Sequence, residues 1–160
     1  MEFIEVKKLR VVKLNDKASL PKKSQDGDAG YDLSSSGYYE ILPGERALIK
    51  TGLRMKIPEG LYGRIAPRSS LAVNDGIDVL GGVVDSNYIG EVCVILFNTQ
   101  KEIKQLDLFA PSSVPGVFVV KPGDRIAQIV FENYSTLDVE EVLELEETNR
   151  GEKGFGSTGA

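Results

Sequence analysis

Apolar residues in this chain come in short runs, and glycine or proline closes most of them within a few positions. The runs occupy 38–42, 47–50, 53–57, 61–66, 77–80, 90–98, 117–121, 126–131 and 139–145. Most have the length of a β-strand, and some alternate apolar with polar side chains, the period-two pattern of a half-buried strand. Partial alternation over 3–12 predicts one more strand at the start, while the polar stretch 14–28, with Pro21 and Gly27, predicts a loop. Many short strands separated by turn signals predict an all-β fold: a sandwich, a jelly roll or a barrel. Only Ser69-Ser70-Leu71-Ala72-Val73 reads as helix, with serines at its start and Pro67 just ahead.

The chain of 160 residues is read as one domain over 1–147, followed by a tail over 148–160. That tail carries Gly151, Gly154, Gly156 and Gly159 with little apolar besides Phe155, too little to bury a face of its own. It is expected to be flexible until it meets a ligand. The connection over 98–123 is long for a hairpin, since such loops usually take about 2–5 residues.

Composition narrows the chemistry. There is no histidine, so triads and metal sites built on imidazole are excluded, and the single Cys93 has no histidine to activate it. A general base must then be a carboxylate, a lysine or a tyrosine. A net charge of −5 argues against a broad nucleic-acid surface, although a few converging arginines still suit a small polyanion. The apolar runs are too short to span a bilayer as helices, and the N-terminus does not read as a signal peptide. With one cysteine and no internal disulfide, a cytoplasmic or nuclear protein is expected, without membrane partners.

Five segments carry candidate chemistry. Asp28-Ala29-Gly30-Tyr31-Asp32-Leu33 offers two acids in a glycine-bearing loop, suited to holding magnesium through water. Pro67-Arg68-Ser69-Ser70 sets a guanidinium fork and two hydroxyls at a helix start, where dipole and charge favour the same anion. Asp85-Ser86-Asn87-Tyr88 lies between apolar stretches like the polar tip of a hairpin, and its aspartate, beside Val83 and Val84, suits a general base. In Gly123-Asp124-Arg125-Ile126-Ala127-Gln128 the adjacent charges are expected to pair with each other, and Gln128 is an amide that needs partners on an otherwise apolar strand. The tail offers Arg150, Lys153, Ser157 and Thr158 for an anion and Phe155 for a flat ring, yet lacks the Gly-Lys-Ser/Thr of a P-loop. Each segment taken alone has an ordinary explanation as a turn, a cap or a solvated tail.

In this order and in one chain, the five segments resemble the five motifs of the homotrimeric dUTPase family, over about residues 28–159. The resemblance implies a jelly-roll-like β domain that assembles as a homotrimer with shared active sites. It implies Mg²⁺-assisted hydrolysis of dUTP to dUMP and pyrophosphate, which lowers dUTP and supplies dUMP for thymidylate synthesis. Asp85 then resembles the base that activates the water attacking the α-phosphorus, and Asp32 the acid that holds magnesium through water. Arg68, Ser69, Ser70 and Gln128 resemble the phosphate contacts, with Ser69 stabilising the leaving pyrophosphate.

By the same resemblance, Arg150, Ser157 and Thr158, with Gly156, look like the tail groups that grip the terminal phosphate, and Phe155 like the ring over uracil. The stretch from Leu80 to Cys93, including Gly82, Val83, Val84, Ser86 and Asn87, resembles the uracil slot, where backbone near Leu80 and Cys93 reads the base edge. Tyr88 resembles the tyrosine under the sugar that excludes a 2′-hydroxyl. Such a slot rejects cytosine because its amino group reverses donor and acceptor.

Three positions depart from the family pattern: Asn87 where many members have a second acid, Lys153 where glycine is frequent, and the longer 98–123 connection. A dCTP deaminase, which is similar in fold, is disfavoured by the Tyr88-bearing hairpin and the complete tail. A nucleotide-sensing regulator without turnover is disfavoured because Asp85 and the tail are both present. A purely structural β trimer leaves the motifs unexplained.

Overall fold

The computed structural model describes residues 7–101, 115–149 and 151–152. Among the described residues, ten strands and one short helix follow one another: β1 (Arg10–Lys13), β2 (Tyr31–Ser34), β3 (Tyr39–Ile41), β4 (Arg46–Lys56), β5 (Leu61–Ala66), α1 (Ser69–Asp75), β6 (Ile77–Leu80), β7 (Val83–Val84), β8 (Glu91–Asn98), β9 (Phe118–Val120) and β10 (Arg125–Asn133). They form two four-stranded sheets, β1-β4-β8-β6 and β2-β10-β5-β7, and a two-stranded ribbon, β3-β9, all antiparallel. Neighbours in both sheets are mostly distant in sequence, which gives the jelly-roll-like architecture.

Period-two patterning builds the core. On β8, Val92, Val94, Leu96 and Asn98 are buried while Glu91, Cys93, Ile95 and Phe97 are only half-buried. On β4, Ile49, Leu53 and Met55 turn inward against them, and Leu33, Ile65, Ile126 and Ile129 do the same from the other sheet. Each such side chain contributes about 1.5–3 kcal/mol relative to exposure. Asn98 is the polar member: its Nδ2 donates to the carbonyls of Ile41 (2.9 Å) and Gly116 (2.8 Å), tying the ribbon to the end of β8. Because both bonds are inside the protein, the buried amide is satisfied rather than costly.

The apolar runs at 61–66 and 77–80 are strands with those limits. The runs at 47–50 and 53–57 prove to be one strand, β4, interrupted by an irregularity between Lys50 and Leu53. Gly52 makes this bend, with φ of 70°, and a Cβ there would meet the Ala18 side chain at 2.8 Å. At the start, strand structure covers only Arg10–Lys13, while residues 1–6 lie outside those described.

Two expectations are corrected. Residues 28–33 are not all loop, because Tyr31–Ser34 is β2, with Asp32 opposite Gln128 on β10. The run at 139–145 forms no strand, and Val139, Leu143 and Leu145 are fully or almost fully exposed. Its mix of apolar and acidic residues suits one covered face, and the rest of the described chain provides no cover.

Candidate active site

β2, β5, β10 and the start of α1 meet along one side of the second sheet and enclose a cleft of about 390 Å³. The register explains the meeting. Gln128 lies opposite both Asp32 and Ala66, so the acid of β2, the amide of β10 and the end of β5 share one row. Pro67 then ends β5, and Arg68, Ser69 and Ser70 turn into the cleft at the helix start. Arg68 occupies the N-cap position without a side-chain cap bond, so neither serine caps the helix. Gln128 donates from Nε2 to the Pro67 carbonyl at 3.0 Å, which fixes its amide at the wall. A Cβ on Gly30 would overlap that amide, so glycine is what lets the 28–30 stretch lie against Gln128.

Asp32 organises the charges. Its Oδ1 lies 3.2 Å from Arg68 Nε, and its Oδ2 accepts from Arg125 Nη1 at 3.1 Å and from Ser24 Oγ at 2.9 Å. One carboxylate thus faces two guanidinium groups. Arg125 spends its charge on Asp32 and not on the adjacent Asp124, whose carboxylate instead accepts the Lys121 amide at 2.8 Å. The expected pairing of these neighbours is therefore absent, because Asp124 precedes β10 and its carboxylate closes the turn back onto Lys121.

Arg64 also lines the cleft, held by Glu132 at 2.7 Å. The hydroxyl of Tyr62 bonds the same carboxylate at 2.7 Å, and this bond, with the Arg64 guanidinium, holds Glu132 below the usual carboxylate range.

For a metal, the donor set is sparse. No group of three or more His, Cys, Asp or Glu side chains converges among the described residues. Asp32 and Asp28 are the acids of the cleft, and both already accept hydrogen bonds, Asp28 from the Gln25 amide at 2.8 Å. This does not fit an all-protein cage. It fits a magnesium ion that keeps its waters and is carried in by phosphates, for which one or two carboxylates suffice.

The second constellation is built around the segment between β6 and β8. β6 and β8 pair as a hairpin, Leu80 opposite Ile95, but the segment between them does not continue it. Val83 and Val84 instead cross to the other sheet and pair with β5 as β7, and the Ile65 amide donates to the Gly82 carbonyl at 2.7 Å. The polar tip therefore projects from a link between sheets, a correction to the simple hairpin. Val83, Val84, Asp85, Tyr88 and Cys93 line a pocket of about 300 Å³ there. Leu80 and Gly82 flank Gly81 without lining it, and Ser86 and Asn87 line a second cavity on the other side of Asp85. Tyr88 donates its hydroxyl to the Glu91 carbonyl at 2.9 Å, and its ring would overlap any Cβ on Gly90. Burial, reinforced by Glu91, pushes the Cys93 thiol above its ordinary pKa, against a smaller opposing effect of Lys50.

The structure thus gathers Asp32, Arg68, Ser69, Ser70 and Gln128 in one cleft, and Val83, Val84, Asp85, Tyr88 and Cys93 around one pocket. The cleft and the pocket share no lining residue. Arg150, Phe155, Gly156, Ser157 and Thr158 lie outside the described residues. Sequence reasoning missed Arg64, Ser24 and the link from Arg125 to Asp32. Alternation along β5 would have placed Arg64 on the face of Ala66, whereas the links through Ser24 and Arg125 span 8 and 93 residues and leave no local signal.

A jelly-roll-like domain with an arginine- and serine-lined cleft and a separate acid-bearing pocket has the build of a phosphate-binding β protein. Comparison with known proteins gives the family. The dUTPase family model matches residues 16–159. Mouse deoxyuridine 5'-triphosphate nucleotidohydrolase is 47% identical over 151 residues, covering 94% of this chain and 85% of that protein. The Staphylococcus bacteriophage 80alpha dUTPase with dUPNHPP aligns with a TM-score of 0.87 at 30% identity, covering 97% of this chain and all (100%) of that one. A mutant dUTPase of phage phi11 of S. aureus, whose structure concerns the coordination of a structural Mg(II) ion, aligns with a TM-score of 0.80 at 27% identity, over 88% of this chain and 100% of that one. The chain belongs to the dUTPase family.

Proposed function

We propose that this chain hydrolyses dUTP to dUMP and pyrophosphate, with Asp85 as general base and the cleft around Arg68 as the triphosphate site. The observation that carries this reading is the convergence of Arg68, Ser69, Ser70, Gln128 and Asp32, from three separate segments, on one cleft. Its walls carry guanidinium, hydroxyl and amide donors suited to phosphate oxygens.

A water molecule attacks the α-phosphorus and gives its proton to the Asp85 carboxylate. The new P–O bond forms as the bond to the bridging oxygen of the β-phosphate breaks, and pyrophosphate leaves with that electron pair. Phosphoryl transfer depends mainly on positioning and charge stabilisation, so no protein nucleophile is required. Arg68, Ser69, Ser70 and Gln128 hold the phosphates in line, and Ser69 stabilises the leaving group. Magnesium, when bound, neutralises phosphate charge, with Asp32 holding it through water. Tyr88 packs under the deoxyribose, and the backbone from Leu80 to Cys93 reads uracil.

The reading requires assembly. Asp85 and the phosphate cleft belong to cavities without a common residue, so one chain does not present them together as one pocket. A homotrimer in which one copy supplies the cleft and another the Asp85 pocket resolves this. It also covers apolar side chains such as Leu137, Val139, Leu143 and Leu145, which are at least 80% exposed in the single chain. The tail, with Arg150, Phe155, Gly156, Ser157 and Thr158, closes the shared site against water. The protein acts in the cytoplasm or nucleus.

The test is pyrophosphate release from dUTP, with dCTP, dTTP and UTP alongside, in magnesium and in excess chelator. Magnesium-dependent release from dUTP alone is the expected outcome. Ammonia release from dCTP, or tight dUTP binding without turnover, would replace the reading with a deaminase or a nucleotide sensor.

A further inference from the structure

The turn that carries Asp85 is gripped from outside by two cations of β4, and nothing in the motifs accounts for them. Arg54 donates from Nε to the Ile89 carbonyl at 2.6 Å, and Lys56 donates from Nζ to the Ser86 carbonyl at 3.1 Å. The two donors are two positions apart on one strand, so they share a face, and their acceptors bracket the tip at residues 86 and 89. Within the tip, one backbone bond closes the turn, from the Tyr88 amide to the Asp85 carbonyl at 3.1 Å.

Both cations are free for this task. Among the described residues neither has a carboxylate partner within ion-pair distance. Glu91, which lies opposite Arg54 in the ladder, spends its carboxylate on the Gly52 amide at 3.0 Å. Lys56 also lines the same cavity as Asp85, Ser86 and Asn87.

We propose that Arg54 and Lys56 are positioning residues that clamp the 85–90 turn and hold the Asp85 carboxylate at the angle that water activation needs. The proposal rests on the reading of Asp85 as the base and adds the device that aims it. Bonds from charged donors to carbonyls are stronger than neutral ones, so two of them hold a six-residue segment that otherwise has one backbone closing bond and the Tyr88 hydroxyl tie to the Glu91 carbonyl. A base displaced by a fraction of an ångström loses rate and not ground-state affinity, because only the transition state demands its alignment.

The experiment compares full-length R54Q, K56Q and the double variant with the wild type and with the conservative double variant R54K/K56R. It measures kcat and KM for dUTP, the Kd of the α,β-imido analogue, Tm, and amide hydrogen exchange over 85–90. In the double glutamine variant kcat falls about tenfold or more, the analogue Kd and Tm hold, and exchange over the turn quickens. R54K/K56R recovers most of the rate. Wild-type kcat in the double glutamine variant overturns the clamp whatever the exchange shows. So does a rate loss matched by losses of Tm and analogue affinity, or a failure of R54K/K56R to recover. If the wild type does not hydrolyse dUTP, or D85N does, the reading of the reaction fails on its own account. The exchange comparison then still decides the clamp: unchanged exchange over 85–90 overturns it, and quickened exchange sustains it.

Discussion

Arg68 Nε lies 3.2 Å from Asp32 Oδ1, and the two side chains are only 21% and 16% exposed. The same carboxylate also takes Arg125, which is 53% exposed, so neutralising it leaves two guanidinium groups without their shared counter-charge, one of them largely screened by water. Asp32→Asn is therefore expected to lower stability by about 1–2 kcal/mol, less than a fully buried pair because of residual solvent. Removing Arg68 as well should recover part of that loss. A double-mutant cycle in denaturant checks it, and additive losses would show that the pair is not coupled. Magnesium-dependent turnover should fall in Asp32→Asn more than dUTP affinity measured in chelator.

Gly82 sits where the chain leaves β6 and crosses to β5, and a Cβ there would run into the Ile65 carbonyl. That carbonyl belongs to backbone within the sheet, so the link must move. Gly82→Ala should cost about 1–3 kcal/mol by overpacking and shift the pocket lined by Val83, Val84 and Tyr88. Thermal unfolding together with KM for dUTP reads both effects, and wild-type values for both would refute the close approach.

The sheet strands were legible where a run was bounded by its own turn signals, as at β5 and β6. They were misread where pairing decided the outcome. Asp32 lies in a segment rich in turn-forming residues, yet the Gln128 strand recruits it into β2. The 139–145 run has the composition of a strand and no described partner strand, so composition and structure part company there. Individual site residues were legible through the family motifs, whereas their links were not. That Arg125 reaches Asp32 and Lys56 reaches Ser86 depends on sheet register over 93 and 30 residues, which no local pattern encodes.

Cys93 makes a prediction about pH. Because burial and Glu91 raise its pKa, the thiolate that reacts with electrophiles is scarcer at neutral pH than for an exposed thiol. Labelling by iodoacetamide should be slow at pH 7, with its rate rising only above the ordinary thiol range of about 8.5. A rate matching a free thiol at pH 7 would contradict the burial. Since Cys93 lines the pocket assigned to uracil, bound dUMP should slow the labelling further.

Removal of residues 149–160 is expected to reduce turnover by at least about tenfold while leaving Tm within a few degrees, as for a segment that closes over ligand. The truncated protein should still bind dUMP. A fall in Tm parallel to the loss of turnover would instead make the segment part of the folded domain.

Asp85→Asn separates basicity from shape. The amide keeps the volume and polarity of the carboxylate, and among the described residues no hydrogen bond or ion pair engages the Asp85 side chain, so the turn should hold. What disappears is the acceptor for the proton of the attacking water. General-base catalysis typically contributes about 10²–10⁴-fold, so kcat should fall by that range. Affinity for the imido analogue should change little, because a ground-state nucleotide makes no use of the base. Quench-flow with radiolabelled dUTP measures the chemical step directly, and calorimetry with the analogue measures binding. Turnover close to wild type would assign the base elsewhere. Without histidine in the chain, the search would then pass to Glu59 and Tyr62, which line the cavity that Asp85 shares with Ser86 and Asn87.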